Sequence, residues 1–197
     1  MDVIRRRAGS GKRQHVVDKA TELFSMHGFH PVGVDRIIEE ANVARMTMYR
    51  HFAGKNDLIG EVLEQRLTYI IESIALRLQP MTDPIARIKG IFDWYEAWFR
   101  SPEFAGCLFE RALAEFGPSY PVVSEVAIRY RLKLVSWFEE LLLEVVPGKA
   151  AKQLASVYVI LLDGATVDAR AFNDPSVAER AWQAAEVLLN QARSAVQ

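Results

Sequence analysis

The sequence predicts an all-α protein of nine helices, and three observations support this fold class. Apolar residues recur three and four positions apart over long stretches, which is the period of an amphipathic α-helix. Short groups of proline and glycine separate those stretches, as they do where helices begin and end. No stretch alternates apolar and polar residues in the manner of a half-buried strand, so a sheet is not expected.

Composition and charge indicate a globular protein whose N-terminal part suits contact with a polyanion. Half of its 197 residues are hydrophobic and 25% are charged, enough for one small and one medium domain. The net charge of −1 conceals an asymmetry, because residues 1–55 carry ten Lys and Arg against six Asp and Glu. The first part is therefore +4 and the remainder −5. A basic head on an acidic body favours nucleic acid as a partner.

Several features argue against other classes of protein. The longest unbroken apolar run, Val157–Leu162, is too short to cross a bilayer, and no apolar signal core follows the basic residues Arg5 to Arg7. A single cysteine, Cys107, excludes an internal disulfide and a cysteine-based zinc site. No phosphate loop, nucleophile elbow or paired-carboxylate motif points to an enzyme. We therefore expect a cytoplasmic protein with no membrane span, metal or cofactor.

The first helix is expected over about Lys12 to His27, after a flexible arm at residues 1–11 that lacks a helical period. The inward face of this helix consists of Val16, Ala20, Leu23, Phe24 and His27. Basic arms of this kind can reach the minor groove or the phosphate backbone beside a DNA-binding helix, although an arm without contact fits about equally well. The candidate arm residues are Arg5, Arg6, Arg7, Lys12 and Arg13.

The second helix is short and ends in a tight turn. Val34, Ile37, Ile38 and Ala41 fall on one face of it, at the spacing of an amphipathic helix. Asn42 stands where the chain must leave the helix, and asparagine tolerates the left-handed conformation better than most residues with a side chain. A third helix is therefore expected to follow directly.

The third helix is expected from about Ala44 to Phe52, with Met48 and Phe52 facing the core. Successive helical residues are about 100° apart, so the residues between these two point away from the core. These outward residues are Met46, Thr47, Tyr49 and Arg50. Two short helices with an outward second helix are typical of a helix-turn-helix, whose second helix enters the DNA major groove.

Six further helices form a larger body, and proline or glycine marks most of their ends. The fifth helix is apolar almost all round, which indicates burial on every side. The expected helices are Lys55 to Leu78, Pro84 to Phe99, Ser101-Pro102 to the residue before Gly117, Tyr120 to Val146, Ala150 to Ala171, and Asp174-Pro175 to Ala195.

The head matches a known family in residue type, order and spacing together. Its motif consists of Gly28-Phe29, Val34, Ile37, Thr47, Tyr49, His51-Phe52 and Lys55. On this motif, which covers about the first quarter of the chain, the sequence resembles the TetR family of bacterial transcription regulators. Two positions depart from the family pattern. Gly33 stands where Thr or Ser usually caps the second helix, and Met46 replaces a small residue.

The resemblance implies a fold and a function. It implies a nine-helix TetR-like architecture with a DNA-binding helix-turn-helix domain at residues 1–56 and a ligand-binding and dimerisation domain at 57–197. A homodimer would hold a palindromic double-stranded DNA operator as a repressor, and a small-molecule effector would release it. An activator is the alternative within regulation. The competing class is a helical small-molecule-binding protein or enzyme with a vestigial head.

The outward residues of the third helix carry the chemistry of base and phosphate recognition. Arg50 can contact a guanine edge through two hydrogen bonds, and Thr47 can meet a thymine methyl group or a phosphate. Tyrosine and histidine can hydrogen-bond phosphates, and a lysine at a helix start adds to the attraction for anions. The candidate DNA-binding residues are Gly33, Arg45, Met46, Thr47, Tyr49, Arg50, His51 and Lys55.

The body is rich in aromatic residues, most of which plain core packing can explain. In the family the corresponding domain holds a small-molecule pocket between its long helices, so the resemblance implies an unidentified and largely apolar effector. The candidate pocket residues are Trp94, Trp98, Phe109, Tyr130, Trp137 and Asp163.

The eighth helix is apolar on two sides, and only one side is needed for its own domain. The resemblance implies that the eighth and ninth helices of two subunits form a four-helix dimer contact, where small residues allow close approach. An entirely intramolecular core is the alternative. The candidate interface residues are Leu154, Tyr158, Leu161, Ala165, Ala181, Ala185 and Leu188.

Overall fold

A computed structural model describes the backbone of residues 2–117 and 120–195, and the side chains of residues 11–117 and 120–195. Within this part of the chain there are nine α-helices and no strand, which confirms the predicted all-α fold class. The helices are α1 Asp2–His27, α2 Val34–Glu40, α3 Arg45–His51, α4 Lys55–Leu78, α5 Pro84–Phe99, α6 Leu108–Phe116, α7 Pro121–Leu142, α8 Gly148–Phe172 and α9 Val177–Ser194.

The start of α1 differs from the sequence prediction. The helix begins at Asp2 instead of near Lys12, so the predicted flexible arm is wrong for the backbone of residues 2–11. A helix that is already formed extends at little cost through arginine and alanine, and isolated glycines weaken it without ending it. The side chains of Arg5, Arg6 and Arg7 lie outside the described residues, so their contact with DNA stays a prediction.

The start of α6 also differs from the prediction. Ser101-Pro102 forms a turn, in which the Phe104 N–H donates to the Ser101 carbonyl at 3.0 Å, and α6 begins only at Leu108. Gly106 interrupts the segment between them with φ +92°, a left-handed conformation that a helix cannot contain. The serine-proline signal therefore marks a turn here, not the first residue of a helix.

The chain divides into two units that differ from the predicted domains. The first unit consists of Met1–Thr68 and Cys107–Ile128, and the second of Tyr69–Gly106 and Arg129–Gln197. The predicted boundary after residue 56 assigned all of α4 and α6 to the body. In the structure, the first fourteen residues of α4 and the whole of α6 belong to the unit that contains the helix-turn-helix.

The core of the first unit is built around aromatic rings. In the head, α1 contacts both α2 and α3, and α2 contacts α3. The Phe24 and Phe29 rings lie 5.0 Å apart, and the Phe29 ring lies 5.6 Å from that of Phe116 in α6. His27 does not take part, because it is exposed and its Nε2 lies 3.0 Å from Arg36, which corrects its predicted inward position.

The second unit is held by contacts among α5, α8 and α9. Phe92 of α5 lies at their centre, with ring centroids 5.7 Å from Phe138, 5.8 Å from Tyr158 and 5.6 Å from Trp182. The Tyr158 hydroxyl donates to the Ala185 carbonyl at 2.9 Å. Burial raises the pKa of the Tyr158 phenol, because its ionised form would lack water.

By length and composition α8 is apolar enough to cross a membrane. Nearly half of its most apolar window is buried inside the protomer, and α8 packs on α5 and α9. Packing therefore accounts for the apolar residues on the buried side of α8, whereas Ile160 and Val167 of the same helix stay exposed.

Candidate nucleic-acid interface

The connection between α2 and α3 has the predicted tight turn. Asn42 adopts φ +48°, and its N–H donates to the Glu39 carbonyl at 3.0 Å. The Val43 N–H donates to the Ile38 carbonyl at 3.2 Å, so the last carbonyls of α2 are occupied. Gly33 precedes α2 in an extended conformation and supplies no side-chain cap. The predicted role of Asn42 is confirmed.

The orientation of α3 is set by two buried side chains. Met48 is fully buried, and Phe52, directly after the helix, is almost fully buried. Ala44 precedes α3 and makes no side-chain capping hydrogen bond. The helix is therefore held mainly from its inner face, by packing on α1 and α2.

The opposite face of α3 is open to solvent, as the sequence predicted. Met46 is 80% exposed and Tyr49 46% exposed, Arg50 is exposed, and Thr47 is half-buried. Arg45 is also exposed, and its guanidinium pairs with the Asp35 carboxylate of α2. These side chains form one continuous outward surface on a seven-residue helix. Their role in DNA binding stays a prediction.

Two other candidate contacts, His51 and Lys55, are partly buried. The Nε2 atom of His51 is buried and has no hydrogen-bond partner among the described residues. Desolvation, followed by the charges of Arg50 and Arg13, lowers the His51 pKa and so favours the neutral form of its imidazole. Lys55 is half-buried, and its amine donates to the His30 carbonyl at 3.3 Å. Desolvation lowers the Lys55 pKa and the Glu115 carboxylate opposes that shift.

The Arg13 side chain is partly buried against α4 and Phe52, and its contact with DNA stays a prediction. Its guanidinium forms two parallel contacts of 2.8 Å with the Glu61 carboxylate of α4. The same guanidinium lies 5.1 Å from the centre of the Phe52 ring. The hydrogen bond from Arg13 lowers the pKa of Glu61, and the bond to Glu61 raises the pKa of Arg13. Arg13 therefore supports the residue that ends α3, whereas Lys12 is exposed.

A second support for the head comes from α6, and the sequence did not predict it. The Glu115 carboxylate accepts the N–H groups of Phe29 at 3.1 Å and His30 at 2.7 Å. The Arg111 guanidinium donates to the Phe24 carbonyl at 2.9 Å, and the His30 ring lies 2.9 Å from the Glu115 carbonyl. The connection between α1 and α2 is thereby tied to the last two turns of α6.

Gly28 was the signal in the sequence that could have revealed this contact. It adopts φ +88°, and a Cβ atom there would lie 2.8 Å from the Glu115 Oε1 atom. Only glycine gives the backbone this conformation at low cost and lets the carboxylate approach so closely. The backbone conformation and the close carboxylate explain why residue 28 is a glycine.

The α8 and α9 residues proposed for a dimer contact are mostly buried within the protomer. Tyr158 and Ala185 are fully buried, Leu154, Ala165 and Ala181 almost so, and Leu161 and Leu188 half-buried. Full burial leaves Tyr158 and Ala185 no surface for a partner, whereas the interface roles of Leu161 and Leu188 stay predictions. A different apolar stripe is exposed, and it consists of Ile160, Gly164, Val167 and Ala171 of α8 with Ala184 and Val187 of α9.

The predicted pocket residues are only partly brought together. The Trp94 and Trp98 rings lie 5.8 Å apart, and Tyr95, which contacts both, shares a buried hydroxyl hydrogen bond with Tyr130. Trp137 is half-buried beneath the Lys133 amine, and Asp163 pairs with Arg131. Phe109 is buried in the first unit, whereas the other five residues belong to the second.

One group of carboxylates could suggest a metal ion. Oxygen atoms of Asp93, Glu96 and Glu179 lie within 4.8 Å of one another. The Lys89 amine is 2.6 Å from Asp93 and 3.4 Å from Glu179, and Arg100 pairs with Glu96. The protein's own cations therefore balance these charges.

The fold and the head together define a helix-turn-helix protein, and comparison with known proteins gives its family. A family model for bacterial regulatory proteins of the tetR family matches residues 16–62. A TetR-family transcriptional regulator from Streptomyces coelicolor is 32% identical, with a TM-score of 0.87, and the match covers 93% of this chain and 97% of that one. The chain belongs to the TetR family of bacterial transcriptional regulators.

Two curated relatives match over shorter regions. The HTH-type transcriptional repressor DhaR of Mycobacterium sp. (strain GP1) is 26% identical over 132 residues, which is 67% of this chain and 66% of DhaR. The HTH-type transcriptional regulator LmrA of Bacillus subtilis (strain 168) is 29% identical over 92 residues, which is 46% of this chain and 49% of LmrA. The matched regions thus span between about half and two thirds of these two relatives.

A substitution of Arg13 tests whether this residue stabilises the head or contacts a DNA phosphate. We expect Arg13→Gln to destabilise the protein by about 1 kcal/mol, because Glu61 loses its partner and the Phe52 ring loses its cation. Operator binding should weaken while its dependence on salt concentration stays that of the wild type. Binding isotherms at several salt concentrations and urea unfolding measure both quantities. Lys12→Gln, which removes the same charge from an exposed neighbour, is the matched control for stability and should leave the free energy of unfolding unchanged.

A phosphate contact by Arg13 would give the opposite pattern. The slope of log K against log salt would then fall by about 0.9 in Arg13→Gln, while stability stayed unchanged. That result would show that Arg13 contacts a DNA phosphate.

Proposed function

We propose that this protein is a homodimeric, cytoplasmic repressor that binds a palindromic operator through α3 and releases it when a largely apolar small molecule binds the second unit. The observation that carries the proposal is the outward face of α3, which exposes Met46, Tyr49 and Arg50 opposite the buried Met48. The relatives named as transcriptional regulators and a repressor support a regulator instead of an enzyme.

Each outward residue has a role that fits its chemistry. Arg50 is exposed and can donate two hydrogen bonds to a guanine edge in the major groove. Thr47 and Tyr49 can donate to phosphates or base edges near the ends of the helix. Arg45 can exchange its partner Asp35 for a phosphate, because this ion pair is exposed and an exposed pair is weak in water. Lys55 and His51, which are partly buried, are assigned to positioning the helix.

The exposed stripe on α8 and α9 is the surface we assign to the dimer. Its residues are apolar or small, which suits helices that approach a second copy closely. A two-fold contact places the same surface on both subunits, so one stripe is enough for a symmetric four-helix arrangement. Two heads held in this way would fit two half-sites one helical turn apart.

The effector is assigned to the aromatic group around Trp94 and Trp98. The polar groups beside these rings include the Ser73 hydroxyl, which accepts from the Trp94 indole at 3.0 Å, and the paired hydroxyls of Tyr95 and Tyr130. A largely apolar molecule with one or two polar atoms matches such surroundings.

The order of the segments along the chain connects the effector site covalently to helices of the first unit. Tyr69–Gly106, which contains the aromatic group, lies in sequence between two segments of the first unit, α4 up to Thr68 and α6. A shift of either end of Tyr69–Gly106 acts directly on a helix of the first unit. Through Glu115, α6 holds the turn between α1 and α2, so a displaced α6 would alter the support of the head.

Operator recognition is tested with a single arginine. Selection from random DNA should yield a palindromic site, and Arg50→Ala should weaken binding to it by about 1–3 kcal/mol and relax the choice of one base. Arg100→Ala, an exposed arginine of the second unit, should leave affinity unchanged. Retention of no DNA by the wild-type protein would refute the regulator and favour a small-molecule-binding protein with a vestigial head.

Dimer formation is tested by placing a charge on the exposed stripe. Val167→Asp should leave the protomer folded, because Val167 is 58% exposed in the protomer, but should produce monomers that lose operator binding. Val122→Asp on α7, where the valine is 62% exposed, is the matched control and should remain dimeric. Analytical ultracentrifugation at micromolar concentration measures both, and a dimeric Val167→Asp protein would exclude this face.

The effector prediction links three measurements. All four tryptophans lie in the second unit, so their fluorescence reports on that unit alone. A compound that binds the aromatic group should raise the melting temperature, change tryptophan emission and lower operator affinity together, because it must favour one of two states. A compound that stabilises the protein and leaves operator affinity unchanged would show that the bound site is not a sensor.

A further inference from the structure

Met46 is the most exposed of the large apolar side chains in the described part of the chain. It is 80% exposed, and it lies between Arg45 and Thr47 on the helix we assign to the major groove. Single exposed apolar residues are common on protein surfaces, so exposure alone decides nothing. The position of this residue on α3 is what makes it informative.

Met46 shares its face of α3 with Arg50. The two residues are four positions apart, which places them about 40° from each other around the helix. Met48, at two positions from Met46, lies about 200° away and is fully buried. Met46 and Arg50 must therefore approach the same surface whenever α3 binds DNA.

The chemistry of the methionine side chain restricts what it can recognise there. A thioether carries no hydrogen-bond donor and is a weak acceptor, so it cannot bind phosphate or read a polar base edge. In the major groove the apolar group presented by an unmodified base pair is the C5-methyl of thymine. Methionine is flexible enough to cover such a group from a range of backbone positions.

We propose that Met46 contacts the C5-methyl group of a thymine in each operator half-site, and so makes that thymine part of the recognised sequence. The inference rests on the proposed function and adds a base requirement to it. Four residues of helix span about 6 Å, and successive base pairs are about 3.4 Å apart. The thymine should therefore lie about two base pairs from the base that Arg50 contacts.

The test removes only the methyl group. In the operator selected from random DNA, each thymine of the half-site is replaced in turn by deoxyuridine, which keeps every hydrogen-bonding group and loses the C5-methyl. At one thymine the wild-type protein should bind about fourfold more weakly, the factor expected for one buried methyl group. Met46→Ala should bind the thymine and deoxyuridine operators equally well.

Two further variants make the result specific to Met46. Met26→Ala removes another exposed methionine, 60% exposed on α1, and should keep the full preference for thymine. Thr47→Ser removes the only other methyl group on the outward face and should also keep it. Circular dichroism checks that Met46→Ala is folded, which is expected because alanine favours helix and residue 46 is exposed.

The outcomes separate this inference from the proposed function. Operator binding with equal affinity for thymine and deoxyuridine at every position would overturn the inference alone. Loss of the preference in Thr47→Ser, with retention in Met46→Ala, would also overturn it, since the methyl contact would belong to Thr47. Failure to bind any DNA would overturn both.

Discussion

The structure of the head depends on one constraint, which is that a helix as short as α3 cannot maintain itself in water. Isolated helices shorter than about 12–15 residues are marginal, and α3 has seven residues with no side-chain cap at its start. Burial of Met48 and Phe52 supplies both the stability and the orientation that the helix lacks locally. Met46 and Arg50 are exposed because they lie on the side of the helix opposite these buried residues.

The same requirement explains why two cations of the head make contacts within it. Arg13 neutralises Glu61 and covers the Phe52 ring, and Lys55 donates to the carbonyl of His30. The N–H of His30 is in turn bound by Glu115 of α6. A helix that is held by packing on its inner face needs neighbouring segments that do not move. These polar contacts hold those segments in place. Arg45 and Arg50 stay exposed on the outer side of α3.

Local signals predicted some helices to the residue and misplaced others. The bounds of α5 agree because Asp83 caps the helix, accepting the Ala86 N–H at 2.7 Å, and Pro84 begins it. The start of α6 was wrong because Ser101-Pro102 satisfies its hydrogen bonds in a turn and Gly106 then interrupts the backbone. Both segments carry a polar residue before a proline, and only the residues that follow distinguish a helix from a turn.

The sequence by itself determined the all-α fold, the family and the outward side of α3, because each depends on spacing within a short segment. Periodicity fixes the angle between Met46 and Met48 whatever surrounds them. Only the tertiary structure decided that Arg13 pairs with Glu61 and Lys55 with the His30 carbonyl, and that α8 exposes Val167 while it buries Tyr158. A helix that is apolar on two sides gives no local sign of which side its own protomer will cover, because that choice depends on residues distant in the chain.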